Sequence, residues 1–418
     1  MKIYALQPDS EEQLAVVTAR TSRSPNTFDV IQAEVRAKGH VEFIKTNVLG
    51  YGHDSVAEIA MCPAVALEDI SDLAANIVAT SDPQLRVQMT STRYQDMTAR
   101  AVHGPQSGLT YGESMKQRYM TLMPQIQKIL DDTDHPRKRT LQCDIARAFL
   151  PAGISTQMAI RGDARTMRDV TSFCLGHEIH EVRMIGSAIQ ETIKPHITVL
   201  FDRHIKPAHA PTTLARMDDY AGVVYASGDT FFLDKAELDC ERPALNELRT
   251  WRDSEWRRRM RIAASPFGPY PLAIISSDYG AYRDLRRNRT IVQTDTLPSS
   301  EHLPSDALWA FRELYPELCE KIEKTVPGCV HDGDREFADN PYLAPMGSIM
   351  NWEAGGHLFN WAYLLRLRTN EFCHPAYAIP GRKLMVQILK NNVLADAMGI
   401  VESKKSLGGV EFKDRVPA

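Results

Sequence analysis

The segment "FLPAGISTQMAI" (149–160) decides the reading of the fold, because "YLAPMGSIMNW" (342–352) repeats its design. Each carries a Leu and a Pro, a small residue, then a short extended run. The downstream sequence repeats as well. The first segment leads into "DARTMRDVTSFCLGHEIHEVRMIGSAI" (163–189), a helix, a His and a second helix. The second leads into "AGGHLFNWAYLLRLR" (354–368) and then "CHPAYAIPGRKLMVQILKNNV" (373–393). Upstream, "AMCPAVALE" (60–68) reads as a strand running into the helix "DISDLAANIVAT" (69–80). "PLAIISSD" (271–278) likewise runs into "YGAYRDLRRNRT" (279–290). The matched order implies an internal duplication, whose halves can pack as a pseudo-twofold pair.

The remaining pattern is mostly helical. "MKIYALQ" (1–7) reads as a short strand and "SEEQLAVVTARTS" (10–22) as a helix with an acidic first turn. "FDVIQAEVRAKGHVEFIKTNVLGYG" (28–52) closes on Gly50 and Gly52, which suit helix ends. Amphipathic stretches occupy 112–131, 139–149, 164–175 and 178–193. The Pro- and His-rich, aperiodic residues near 195–215 read as a connection, and 244–264 as a charged helix.

The 418 residues favour two or three domains. A formal charge of -4 argues against a chain built for nucleic acid. No apolar run approaches the roughly 20 residues that span a bilayer, and the N-terminus lacks a secretory pattern. Seven cysteines (62, 143, 174, 240, 319, 329 and 373) include no CxxC pair, which suits reduced thiols in the cytoplasm and no zinc framework.

Several stretches can carry chemistry. In "MTSTRYQDMT" (89–98), Ser91 and Thr92 stand before Arg93, a pattern that fits anion recognition or a salt-bridged helix edge. "YGHDSVAE" (51–58) offers His53, Ser55 and Glu58 as a helix cap or as a polar loop around a cofactor. Arg147 lies in the apolar "ARAFLP" run, so it needs either a ligand or a structural partner. "RDLRRNRT" (283–290) is the densest cationic cluster, a solvated face or a grip on phosphates. "LLRLR" (364–368) sets Arg366 and Arg368 among leucines. "HEIHE" (177–181) lacks the i, i+4 histidine spacing of a helical zinc site, so no metal is expected. Neither a P-loop nor G-x-G-x-x-G occurs.

Taken in order, "ARTSR", "YGHDSVAE", "STRY", "ARAFLP" and "DARTMRD" resemble the flavin-dependent thymidylate synthase family, in its long, duplicated form. The second half contributes "DYGAYRDLRRNR", similar to that form's second version of the Arg-His-Arg signature, and "LLRLR…CHP". The resemblance covers roughly residues 15–195 and 265–395. It implies an α/β (α+β) fold of two tandem pseudosymmetric copies, each a mixed sheet flanked by long helices. The copies would span 1–200 and 266–418, joined by a connecting segment, 201–265. It further implies methylation of C5 of deoxyuridine monophosphate, with FAD as cofactor and methylenetetrahydrofolate and NADPH as co-substrates. Family members of single length form tetramers, so a homodimer of this chain is expected.

By the same resemblance, Ser91, Thr92 and Arg93 would hold the nucleotide phosphate. Arg147 and Arg368 would bind the nucleotide and stabilise charge on its carbonyl. His53, Ser55, Glu58, Arg165, Arg287, Asn288, Arg289, Asn360 and His374 would contact the flavin. The departures are specific. The first half has "SDP" (81–83) in place of the Arg-His-Arg signature, and the second has Asn288 where His is expected. The second half lacks "STRY", while Cys174 stands in the first half where Arg368 stands in the second. Each half keeps what the other has lost, as one composite site requires. The alternatives are one-carbon transfer to another pyrimidine nucleotide, or a non-catalytic nucleotide-binding paralogue.

Overall fold

The computed structural model describes residues 3–201, apart from 23, 51–53 and 134–136, and a few positions between 205 and 214. It resumes at 272–389, apart from 289, 295, 300–307, 326–339 and scattered positions in 357–372. The charged stretch 244–264 lies outside the described residues. The chain divides into two compact units, Met1–Ser91 with Ile154–Thr212, and Thr92–Gly153 with Thr213–Ala418. The class is α/β.

In the first unit, strands β1 (Val65–Ser71) and β2 (Arg86–Met89) flank β3 (Ser155–Arg161), both antiparallel to it. The β1 strand runs further than its apolar pattern suggests, with a register shift between Leu67 and Ile70 where Asp69 has φ 53. The helix Asp72–Thr80 then starts at a defined cap, because the Ser71 hydroxyl accepts from the Ala74 N–H. Helices Ala164–Gly176 and Glu11–Thr21 have their own anchors. Asp163 caps the former, and buried Glu12 of the latter accepts from the N–H groups of Val199 and Leu200. Residues 3–8 form no strand, correcting the reading of "MKIYALQ"; alternation this brief finds no partner strand to satisfy its backbone. Within "HEIHE", Glu181 holds the Ser71 N–H and hydroxyl.

In the second unit, β4 (Thr213–Leu214) and β7 (Thr296–Leu297) form a short parallel pair. The other strands are β5 (Leu272–Asp278), β6 (Val292–Gln293) and β8 (Ile349–Gly355), in the antiparallel order β5-β8-β6. That is the β1-β3-β2 order again. Helix Tyr279–Arg286 follows β5 as Asp72–Thr80 follows β1, with Asp278 capping the Ala281 N–H. Even the joint repeats: Asp72 N–H donates to the Ile154 carbonyl, and Tyr279 N–H to that of Ser348.

The Leu/Pro segments meet inside the second unit. Pro151 and Pro345 form an antiparallel bridge. Ala152 N–H donates to the Ala344 carbonyl and Met346 N–H to the Leu150 carbonyl, each at 2.8 Å. Outside them, Gly153 N–H bonds the Tyr342 carbonyl and Gly347 N–H the Ala148 carbonyl. With Pro151 matched to Pro345, each bond is the counterpart of the other, a local two-fold exchange. Gly153 permits it, since a Cβ there would stand 2.1 Å from the His103 carbonyl oxygen.

Candidate functional site

The helix Lys138–Ala146 is buried from Leu141 onward and tightens into a 3₁₀ turn, Arg147–Phe149, before Pro151. Asp144 and Arg147, three residues apart, therefore project from one face into the same interior. Asp144 takes both forks of Arg93: Nε and Nη2 donate to its two oxygens, each at 2.7 Å. The third nitrogen of Arg93, Nη1, donates to the Tyr377 hydroxyl at 2.8 Å. Arg147, only 2% exposed, donates from Nη1 to Asp284 Oδ2 at 3.1 Å. Arg368 donates from Nη2 to the Asp284 carbonyl at 3.2 Å and lies over the Tyr377 ring.

His374 closes this cluster. Its Nδ1 accepts from the Ala376 N–H, so the ring proton sits on Nε2, which donates to the Asp144 carbonyl at 3.2 Å. Burial, with Arg147 nearby, pulls the imidazole down to about 3, and it stays neutral. Burial alone would raise the Asp284 carboxyl. The guanidinium groups of Arg147, Arg287, Arg93 and Arg283 outweigh it and hold the group well below the usual carboxylate range. Asp278 is pushed up by burial to about 6, against the pull of Arg147. Burial also raises the thiols of Cys62, Cys143 and Cys174 to about 12, 11 and 12, so these three carry no thiolate at neutral pH.

Two donors in the cluster have no protein partner: Arg147 Nη2 and Arg368 Nε are both buried and unbonded. Buried guanidinium N–H groups are costly to leave empty, so the arrangement suits a ligand oxygen. A third orphan lies near the end of helix Tyr279–Arg286. Asn288 Oδ1 accepts from the Thr290 hydroxyl, while its Nδ2 is buried without a partner. Arg287 beside it is exposed, and Asn360 Nδ2 donates to the Thr290 carbonyl. An unbonded amide donor next to an exposed guanidinium fits a phosphate-bearing cofactor.

The second unit thus brings together Arg93, Arg147, Arg368 and His374, with Thr92 buried at its start. Arg93, expected at a phosphate, is engaged by Asp144 and Tyr377. In the first unit, Ser55 is exposed, and Arg165 pairs with Glu58 at 2.5 Å, both largely exposed. Ser91 is the last residue of that unit's first segment. His53 and Arg289 lie outside the described residues. Asp144, Asp284 and Tyr377 escaped the sequence reading, although Asp144 stands three residues before Arg147 and Asp284 sits inside "RDLRR".

An α/β protein with arginines and carboxylates interleaved in a buried cluster is the class that fold and site define. Residues 5–197, a little under half of the chain, match the model of the family described as Thymidylate synthase complementing protein. A UPF0159 protein of Chlamydia pneumoniae is 23% identical over 425 residues, spanning 84% of this chain and 78% of that protein. A flavin dependent thymidylate synthase of Helicobacter pylori, complexed with FAD and dUMP, is 15% identical with a TM-score of 0.32; the match covers 47% of this chain and 94% of that one. A further Thymidylate Synthase X structure from that organism, also with FAD and dUMP, is 15% identical with a TM-score of 0.30, over 46% and 91%. Among the described residues, no helix is long and apolar enough to cross a membrane.

Proposed function

We propose that the chain transfers a one-carbon unit to C5 of deoxyuridine monophosphate in a flavin-dependent reaction, giving thymidylate. The observation that carries the reading is the pair Arg147 and Arg368. One comes from each half of the sequence, both meet Asp284, and each keeps a buried N–H without a partner. The match of residues 5–197 to the thymidylate synthase complementing family model and the ordered motifs support it. The chain is read as two tandem copies, 1–200 and 266–418 with 201–265 between them, sharing one composite site. The repeated strand order and the exchange at Pro151 and Pro345 support that reading.

The residues take defined parts. Arg147 and Arg368 hold nucleotide oxygens and stabilise negative charge developing on the uracil carbonyl. Ser91, Thr92 and Arg93 border the nucleotide. Arg287, Asn288 and Arg289 hold the phosphates of FAD; the family resemblance also assigns His53, Ser55, Glu58, Arg165, Asn360 and His374 to flavin contacts. When bound, reduced FAD supplies the reducing electrons, with methylenetetrahydrofolate as one-carbon donor and NADPH as reductant. Neutral His374 adds no competing charge beside the arginines. The working form is a homodimer in the cytoplasm.

A second reading, a nucleotide binder without catalysis, is favoured by Asn288, which stands where the resemblance expects a His in the flavin-gripping signature. FAD titration of the purified protein separates the two. Uptake of flavin, then tritium release from C5-labelled deoxyuridine monophosphate, supports the enzyme. Protein that takes up no FAD sinks it and leaves the second reading.

A further inference from the structure

We infer that Asp284 is a positioning residue that aims Arg147 and Arg368 together at the nucleotide; this rests on the functional reading above. Asp284 presents two different acceptors. Its carboxylate takes Arg147 Nη1 at 3.1 Å, and its backbone carbonyl takes Arg368 Nη2 at 3.2 Å. The carbonyl is free to do so because Asp284 lies in the last turn of helix Tyr279–Arg286, where carbonyls lack partners within the helix. Gly280, one turn earlier and on the same helix face, leaves room for the Arg147 guanidinium beside the backbone.

The result is selective. Of the donors on each arginine, Asp284 engages one, and another is left buried and unbonded: Nη2 on Arg147 and Nε on Arg368. A carboxylate that served stability alone would be best placed to take two nitrogens of one guanidinium, as Asp144 does with Arg93. Asp284 instead divides its acceptors between two arginines and leaves donors facing a common ligand class, the oxygens of a pyrimidine nucleotide. Neither sequence half could build this arrangement alone, since Arg147 belongs to one, and Asp284 and Arg368 to the other.

The test uses the full-length, flavin-loaded protein and two variants, Asp284→Asn and Asp284→Glu. Four quantities are read: the dissociation constant for deoxyuridine monophosphate, kcat and KM in the tritium-release assay, and the thermal midpoint. Asp284→Asn is expected to weaken nucleotide binding roughly tenfold or more while flavin content is retained. Asp284→Glu keeps the charge but displaces it by a methylene, so it should recover the thermal midpoint far better than kcat/KM. If Asp284→Asn does not fold, Asp284→Glu decides alone. Wild-type binding and kcat/KM in the folded variants, or losses that track the thermal midpoint in both, would overturn the inference and leave the functional reading standing. Flavin-loaded wild type that binds no nucleotide overturns both.

Discussion

Gly280 leaves the space that Arg147 occupies: a Cβ built there would stand 3.2 Å from both Cζ and Nη2 of the guanidinium. This makes Gly280→Ala a way to move Arg147 without touching its charge. Alanine in the first turn of helix Tyr279–Arg286 gains up to about 1 kcal/mol of helix propensity, which offsets the crowding. The expected outcome is a nearly unchanged urea midpoint with nucleotide affinity reduced roughly tenfold, read by equilibrium titration.

Arg93 and Asp144 make a different demand. Removing either partner of a buried, bidentate pair strands the other, at a cost of about 3–5 kcal/mol. Arg93→Ala should lose stability on that scale in urea unfolding. The double variant Arg93→Met with Asp144→Leu should recover most of it, because no charge is left unpaired. A single variant as stable as wild type would mean the pair is not formed.

The repeated succession of elements was legible because each half carries Leu/Pro, strand, helix and His in sequence, a signal that survives low identity; β2 and β6, short edge strands, carried no such signal. Arg147 could be singled out because "ARAFLP" leaves a charge in an apolar run. Its partner could not. Asp284 lies 137 residues away in a stretch dominated by arginines, and only tertiary contact distinguishes it from a solvated helix charge. The same holds for Tyr377, which reads as an ordinary apolar position in "CHPAYAIP" until Arg93 and Arg368 reach it. The extent of β1 was missed because its end depends on the Ser71 cap and the irregularity at Asp69, not on apolar alternation.

Arg287 and Arg289 flank Asn288, whose Nδ2 is buried without a partner. Replacing both arginines with Ala should abolish FAD uptake, monitored as flavin absorbance co-purifying with folded protein. Asn288→His should hold or raise flavin affinity. Equal flavin occupancy in wild type and the double-Ala variant would make this cluster a solvated face, where such losses cost little.

His374 gives the site a pH signature. Its imidazole is lowered from 6.5 to about 3, so the folded state favours the neutral ring. The stability this represents is present above the unfolded value and is lost as pH falls toward the folded one, by up to about 1.4 kcal/mol per pH unit. Asp278 works oppositely: its carboxyl is raised from 3.8 to about 6, so its contribution is present at low pH and lost as pH rises through that range. The difference between wild type and His374→Asn isolates the histidine. Between about pH 6.5 and about pH 3 the wild type should lose stability faster than the variant; parallel urea midpoints would show that His374 does not titrate in this way.

The proposed function draws one catalytic site from both halves of the sequence, and tritium release from C5-labelled deoxyuridine monophosphate is its sharpest test. The assay contains FAD, methylenetetrahydrofolate and NADPH, and compares wild type with Arg368→Ala as folded, flavin-loaded proteins. Wild type should release tritium, and Arg368→Ala should do so roughly 100-fold more slowly, the scale for losing one donor that stabilises developing charge. No release from wild type, or equal release from Arg368→Ala, would contradict the account.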